Sequence, residues 1–255
     1  MNNPWLEYDY KANNKVHPLD AELFEKVNRR LAKRGEEFLL SDKNVALPYF
    51  GNPNANLFLL YANPGLDRTN TVREETPELS RLFDAARRHE LLEDQAFVFL
   101  RSEFMGTPGY QWWERTLRFV FRRYESPHAR KMALSNMFSA EIHPYKSVKY
   151  GPLTKKEGYF PTSNYTFEIV DQAVKRGALI LVARGKSEWF RAVPSLAKYD
   201  KVIYLSSAQQ SVISPNNVID YSRGFEAEQA KNYAWQLITK EALRQEPGRP
   251  VQLPF

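Results

Sequence analysis

The sequence reads as an α/β chain, a three-layer αβα sandwich around a central, mainly parallel four-stranded sheet. Three observations lead there. Four short apolar runs, at residues 56–62, 137–142, 178–183 and 201–205, carry the near-continuous hydrophobicity of strands buried on both faces. Segments with apolar residues at helical spacing lie between strands, which implies crossover connections and a parallel sheet. Each run ends in a polar stretch, and open sheets of this class bind ligands just beyond the carboxyl ends of their strands.

Taken in order, residues 1–18 are polar and read as a surface arm. Residues 19–34 form an amphipathic helix with Leu23, Val27 and Leu31 on one face and Gly35 as its stop. The first strand is bounded by Gly51-Asn52-Pro53-Asn54 and by the bend Asn63-Pro64-Gly65. Thr76-Pro77 opens a second helix, an N-cap residue followed by proline, with Leu79, Phe83 and Ala86 inward. A third helix begins at Gly109 and places Trp113, Leu117, Val120 and Phe121 at helical spacing; Trp112 and Trp113 read as helix packing. After the second strand and a loop rich in Lys, Gly and Pro, Ser163 caps a helix whose Phe167, Val170 and Val174 form a stripe ending at Gly177. The third and fourth strands follow, then a helix over residues 225–243 and a loose tail, 245–255. No repeat, low-complexity tract or linker divides the chain, so residues 1–255 are expected to fold as one domain.

Composition narrows the function. Aromatic residues reach 14% and no apolar run approaches a membrane span, which points to a globular protein. The amino terminus lacks a signal-peptide core, so a cytoplasmic protein is expected. Cysteine is absent, which removes thiolate zinc sites and Cys-ligated iron–sulfur clusters. A net charge of +6 favours a polyanionic partner.

Several enzyme classes drop out. Arg184-Gly185-Lys186-Ser187 has the end of a P-loop, but Ile180 stands where its first glycine is required. No G-x-G-x-x-G opens a helix and no G-x-S-x-G forms a nucleophile elbow. His17, His89, His128 and His143 lack zinc-site spacing, and no metal or other cofactor is expected. What remains are polar residues after the strand ends. Asn63 and Asp67 follow the first strand, and Glu141, His143 and Tyr145 lie at the end of the second. Arg184 follows the third, and the loop Ser206–Asn217 the fourth. Lys146, Lys149, Lys155 and Lys156 cluster beside them, whereas Arg29, Arg30, Lys33 and Arg34 read as a solvated helix end.

With those residues in view, the chain resembles the uracil-DNA glycosylase superfamily over residues 48–217. Tyr61-Ala-Asn-Pro-Gly-Leu-Asp67 is similar to the first motif of its mismatch-specific, thymine and single-strand-selective branches. Glu141-Ile-His-Pro-Tyr145 resembles the strand on which the family reads a flipped base, and Ser206–Asn217 stands in place of the loop that enters the minor groove. Two departures stand out: Asn63 replaces the Asp of the best-known uracil enzymes, and no histidine occurs in 206–217. The resemblance implies a cofactor-free enzyme without an iron–sulfur cluster that flips a nucleotide out of DNA, duplex or single-stranded, and hydrolyses its N-glycosidic bond. Asn63 would position water, and Asp67 would be a base, a counter-charge or a turn former. Tyr61, Ala62, Pro64, Gly65, Glu141, His143 and Tyr145 would surround the base. Lys146, Lys149, Arg184, Ser207, Gln209, Gln210 and Ser211 would contact DNA. With no lysine near Asn63 in sequence, a monofunctional enzyme is expected.

Glu141 stands where an amide usually reads uracil. An ionised carboxylate only accepts hydrogen bonds and suits an amino-bearing base such as cytosine, whereas a protonated one also donates. A modified cytosine, hydroxymethylated or glucosylated as in bacteriophage DNA, is therefore the favoured substrate, with host defence as its natural setting. Alternatives are repair of uracil or another deaminated base, an inactive DNA-binding module of the same fold, and a hydrolase of free nucleosides or nucleotides.

Overall fold

A computed structural model describes residues 2–67, 76–122, 126–207 and 209–244. Its sheet has six strands in the order β1-β3-β2-β4-β5-β6, where β1 is Tyr49–Gly51, β2 Leu57–Tyr61, β3 Met137–Glu141, β4 Leu179–Val182, β5 Val202–Leu205 and β6 Val218–Ile219. The four inner strands are parallel and coincide with the four apolar runs; β1 and β6 add antiparallel edges. These edges, three and two residues long, are too short to leave a periodic signature. Helices surround the sheet: α1 Ala21–Leu31, α2 Pro77–Arg87, α3 Pro108–Arg122, α4 Pro127–Ser135, α5 Ser163–Arg176, α6 Lys186–Ala192 and α7 Ala227–Ala242. The fold is thus α/β with the arrangement of a three-layer αβα sandwich.

The local signals act much as their chemistry dictates. Thr76 caps α2 by accepting from Leu79 N at 3.3 Å, and Gly177 ends α5 at φ +87°. Ser163 is not a cap but the first helical residue; the preceding Thr162 turns its hydroxyl onto Asp20 at 2.5 Å instead. Helices α4 and α6 were not anticipated, being short and weakly patterned.

The described part of the expected surface arm, residues 2–18, packs onto the core instead. Trp5, Tyr8 and His17 are buried, and Tyr8 stacks parallel to His17. The buried Arg87 guanidinium lies 4.7 Å from the Tyr8 ring and donates to Ala46 O and Asp84 Oδ1. Three aromatic anchors in an otherwise polar segment supply the contact area that its average composition concealed. The predicted tail, 245–255, lies outside the described residues.

The chain runs from β2 out to β3, then crosses to β4 on the other side of β2. The direction of winding reverses between β2 and β4, the place where such sheets open a crevice at their carboxyl ends.

Candidate active site

A cavity of about 470 Å³ opens at these carboxyl ends. Its walls hold Tyr61 at the end of β2 with Asn63, Pro64, Gly65 and Asp67 after it, Glu141 at the end of β3 with Lys146 after it, and Arg184 after β4. Helix α3 closes one side with Trp112 and Trp113, and Tyr150 stands in the wall as well. The β2–β3 ladder pairs Tyr61 with Glu141, so their side chains emerge side by side.

Asn63 is oriented by its neighbours. Its amide nitrogen donates to Ser147 Oγ at 2.8 Å and to Pro64 O at 3.0 Å. The Ser147 hydroxyl spends its own proton on Lys149 O at 2.9 Å, so toward Asn63 it acts only as an acceptor. Both groups beside the amide nitrogen therefore demand a donor, and Oδ1 is the acceptor left to the cavity. The Asn-Pro-Gly bend is itself pinned, because Leu66 N donates to Ser147 O and Ser147 N to Pro64 O, extending the parallel pairing past the strand ends.

Glu141 is buried, with Oε2 lacking any hydrogen-bond partner, and no ion pair among the described residues joins it to Arg184. Burial drives its carboxyl pKa well above the usual range, against a smaller opposing pull from Arg184. Burial thus favours the neutral form of this acid, in which the carboxyl donates through one oxygen and accepts through the other.

Other expected site residues fall elsewhere. Ala62 lies behind the wall, where its carbonyl accepts from His143 N. His143 is fully buried, with burial pushing its pKa down to about 3, and stacks on Tyr150 rather than facing the cavity. Tyr145 is locked in the core, its hydroxyl donating to Asp20 at 2.6 Å and accepting from His17 N. Lys146 is 2% exposed, with Nζ 5.6 Å from the Phe83 ring centroid, so it is no surface phosphate contact. It does line the same cavity as Asn63, which overturns the argument that no lysine stands near that residue. Lys149 is exposed but paired with Glu37 at 3.2 Å. Ser207, Gln209, Gln210 and Ser211 lie outside the cavity wall, on a loop braced by the Asn217 side chain and tied to α3 through Ile213 N and Thr116 O.

The sequence reading missed three participants. Trp112, half-buried and edge-on to Tyr61 at 5.5 Å, contributes an aromatic wall. Tyr150 donates to Glu188 Oε1 at 2.5 Å, which holds the ring in place. Ser147 orients Asn63. Adjacent tryptophans were visible in sequence; Ser147 lies 84 residues from Asn63 and left no such sign.

Comparison with family models, curated proteins and solved structures finds no match to this chain. Among the described residues no group of His, Asp and Glu could hold a metal ion, and no helix is long and apolar enough to cross a membrane.

Proposed function

We propose that the protein is a DNA glycosylase that admits a flipped base to this cavity and hydrolyses its N-glycosidic bond, leaving an abasic site. The observation that carries the reading is the pairing of an oriented acceptor, Asn63 Oδ1, with a buried acid whose Oε2 has no partner, Glu141, in one aromatic-walled cavity. The Asn63 oxygen is suited to hold a water against the sugar C1′, where positive charge builds as the base departs. Asp67 stands in the same wall, in reach of the roles of base or counter-charge. Glu141 matches either pyrimidine edge: it donates to N3 and accepts from the 4-amino group of a cytosine, or accepts from N3–H and donates to O4 of a uracil.

At about 30 Å³ per water the cavity has room for roughly fifteen waters, enough for a pyrimidine base and part of its sugar. A modified cytosine, hydroxymethylated or glucosylated, is our favoured substrate because Glu141 can accept from its amino group, with uracil the alternative. Such an enzyme would work in the cytoplasm, on invading bacteriophage DNA.

The test is to incubate the protein with oligonucleotides carrying cytosine, hydroxymethylcytosine, glucosylated cytosine or uracil, and to reveal abasic sites with alkali. Excision of an enlarged cytosine ahead of uracil is expected. Binding without excision of any of them would leave a DNA-binding module, and release of bases from free nucleosides alone would leave a nucleoside hydrolase. Borohydride added to the same reactions should trap no protein–DNA adduct. An adduct at Lys146 would replace the hydrolytic mechanism by one through an imine.

A further inference from the structure

Helix α3 leads away from the cavity with a row of cations that has no acidic partner among the described residues. Arg115, Arg118 and Arg122 recur at three- and four-residue spacing, so they share one face, opposite the buried Trp113, Leu117 and Val120. All three are exposed, and none forms an ion pair among the described residues. Arg115 also lines the cavity mouth. An ordinary solvated helix face mixes signs in i,i+4 pairs. Here the only acid of α3, Glu114, is already bonded to Arg130. Phe119 lies between the outer two arginines, 4.8 Å from the Arg118 guanidinium carbon and 5.8 Å from that of Arg122, which steadies both without cancelling their charge.

We infer that this arginine face of α3 is the track for the sugar–phosphate backbone of the strand whose nucleotide enters the cavity. It rests on the glycosylase reading and replaces Lys146 and Lys149 as the phosphate contacts. From Arg115 to Arg122 the helix advances about 10 Å, at 1.5 Å per residue. Phosphates recur every ~3.4 Å of axis along one strand of a duplex, so the row spans about three such steps and its guanidinium groups can take one phosphate each. Arginine suits this role because its planar fork pairs with phosphate oxygens in two-bond geometry.

The experiment titrates a fluorescein-labelled oligonucleotide, single-stranded and in duplex form, from about 50 to 200 mM salt. It compares wild type with the triple variant R115Q/R118Q/R122Q and with the control K149Q/K155Q/K156Q, matched in charge change. The arginine variant should bind at least about tenfold more weakly, with a log–log salt slope shallower by about 2 to 3, at 0.7 to 0.9 per lost phosphate contact. The control should keep both. An unchanged slope in the arginine variant, or an equal loss in the control, overturns the inference while leaving base excision to be judged by its own assay. Binding by wild type to vesicles of anionic phospholipid but not to DNA overturns the inference and the glycosylase reading together.

Discussion

Asn63 and Glu141 divide the work at the level of single side chains. Asn63→Ala removes the oriented acceptor but no phosphate contact. Single-turnover base release should fall on the order of a hundredfold or more, with DNA affinity nearly unchanged. An unaltered rate would take Asn63 out of the mechanism. Ser147→Ala removes one of the two acceptors that orient the amide and should lower the same rate without weakening binding. For Glu141, burial favours the neutral acid, and that alters what substitution means. Glu141→Gln keeps a donor and an acceptor in nearly the same shape, so excision should persist with a modest change in base preference. Glu141→Leu, which can pair with neither edge, should cost on the order of a few kcal/mol of transition-state binding, read as the ratio of single-turnover rates. If the leucine variant excises as fast as the glutamine variant, Glu141 does not read the base.

At the level of elements, α3 presents two adjacent tryptophans to different tasks. Trp113 is buried and meets Phe50, Phe97 and Tyr61 edge-on, at 4.9–5.6 Å. Trp113→Ala should destabilise the protein by about 3–5 kcal/mol, because the cavity it leaves cannot collapse between helix and sheet. Trp112 is only half-buried and faces the site. Trp112→Ala should lower the melting temperature far less, yet weaken base capture by about 1–3 kcal/mol if a base stacks there. Paired thermal melts and substrate titrations separate the two roles. Equal thermal losses would make Trp112 a packing residue only.

Across the whole molecule, buried titratable groups limit stability from both sides of the pH scale. Burial lowers His143 to about 3 and His89 to about 4, from 6.5. The unfolded chain protonates these rings first, so the stability tied to them is lost as pH falls from about 6.5 through those values, on the order of 3–5 kcal/mol each. Glu141 works in the opposite direction. Its raised pKa makes the neutral acid an advantage below about 4.5, and that advantage is lost as pH rises toward its folded value. Melting temperature against pH should therefore fall on both flanks. His143→Leu should flatten the acid limb and Glu141→Gln the alkaline one, by roughly 2–4 °C per kcal/mol recovered. Curves parallel to wild type in both variants would show that these groups do not set the limits.

The sequence alone determined the inner architecture. Runs such as Leu57–Tyr61 and Leu179–Val182 are apolar throughout because both sheet faces are covered, and helix spacing, Thr76 and Gly177 mark where the chain turns. It also located Asn63, Asp67, Glu141 and Arg184, since a polar residue just after a buried strand has one rim on which to stand. Tertiary structure decided their surroundings. Lys146 and Tyr145 look like surface and site residues in a loop of lysines, but one is buried beside Phe83 and the other bonded to Asp20, 125 residues away. Trp5 and Tyr8 belong to the core because Arg87 and the aromatic rings around it receive them. Burial, the protonation of Glu141 and the orientation of Asn63 all depend on neighbours distant in the chain. Periodicity reports which face of an element is apolar; it carries no record of which other element will meet that face.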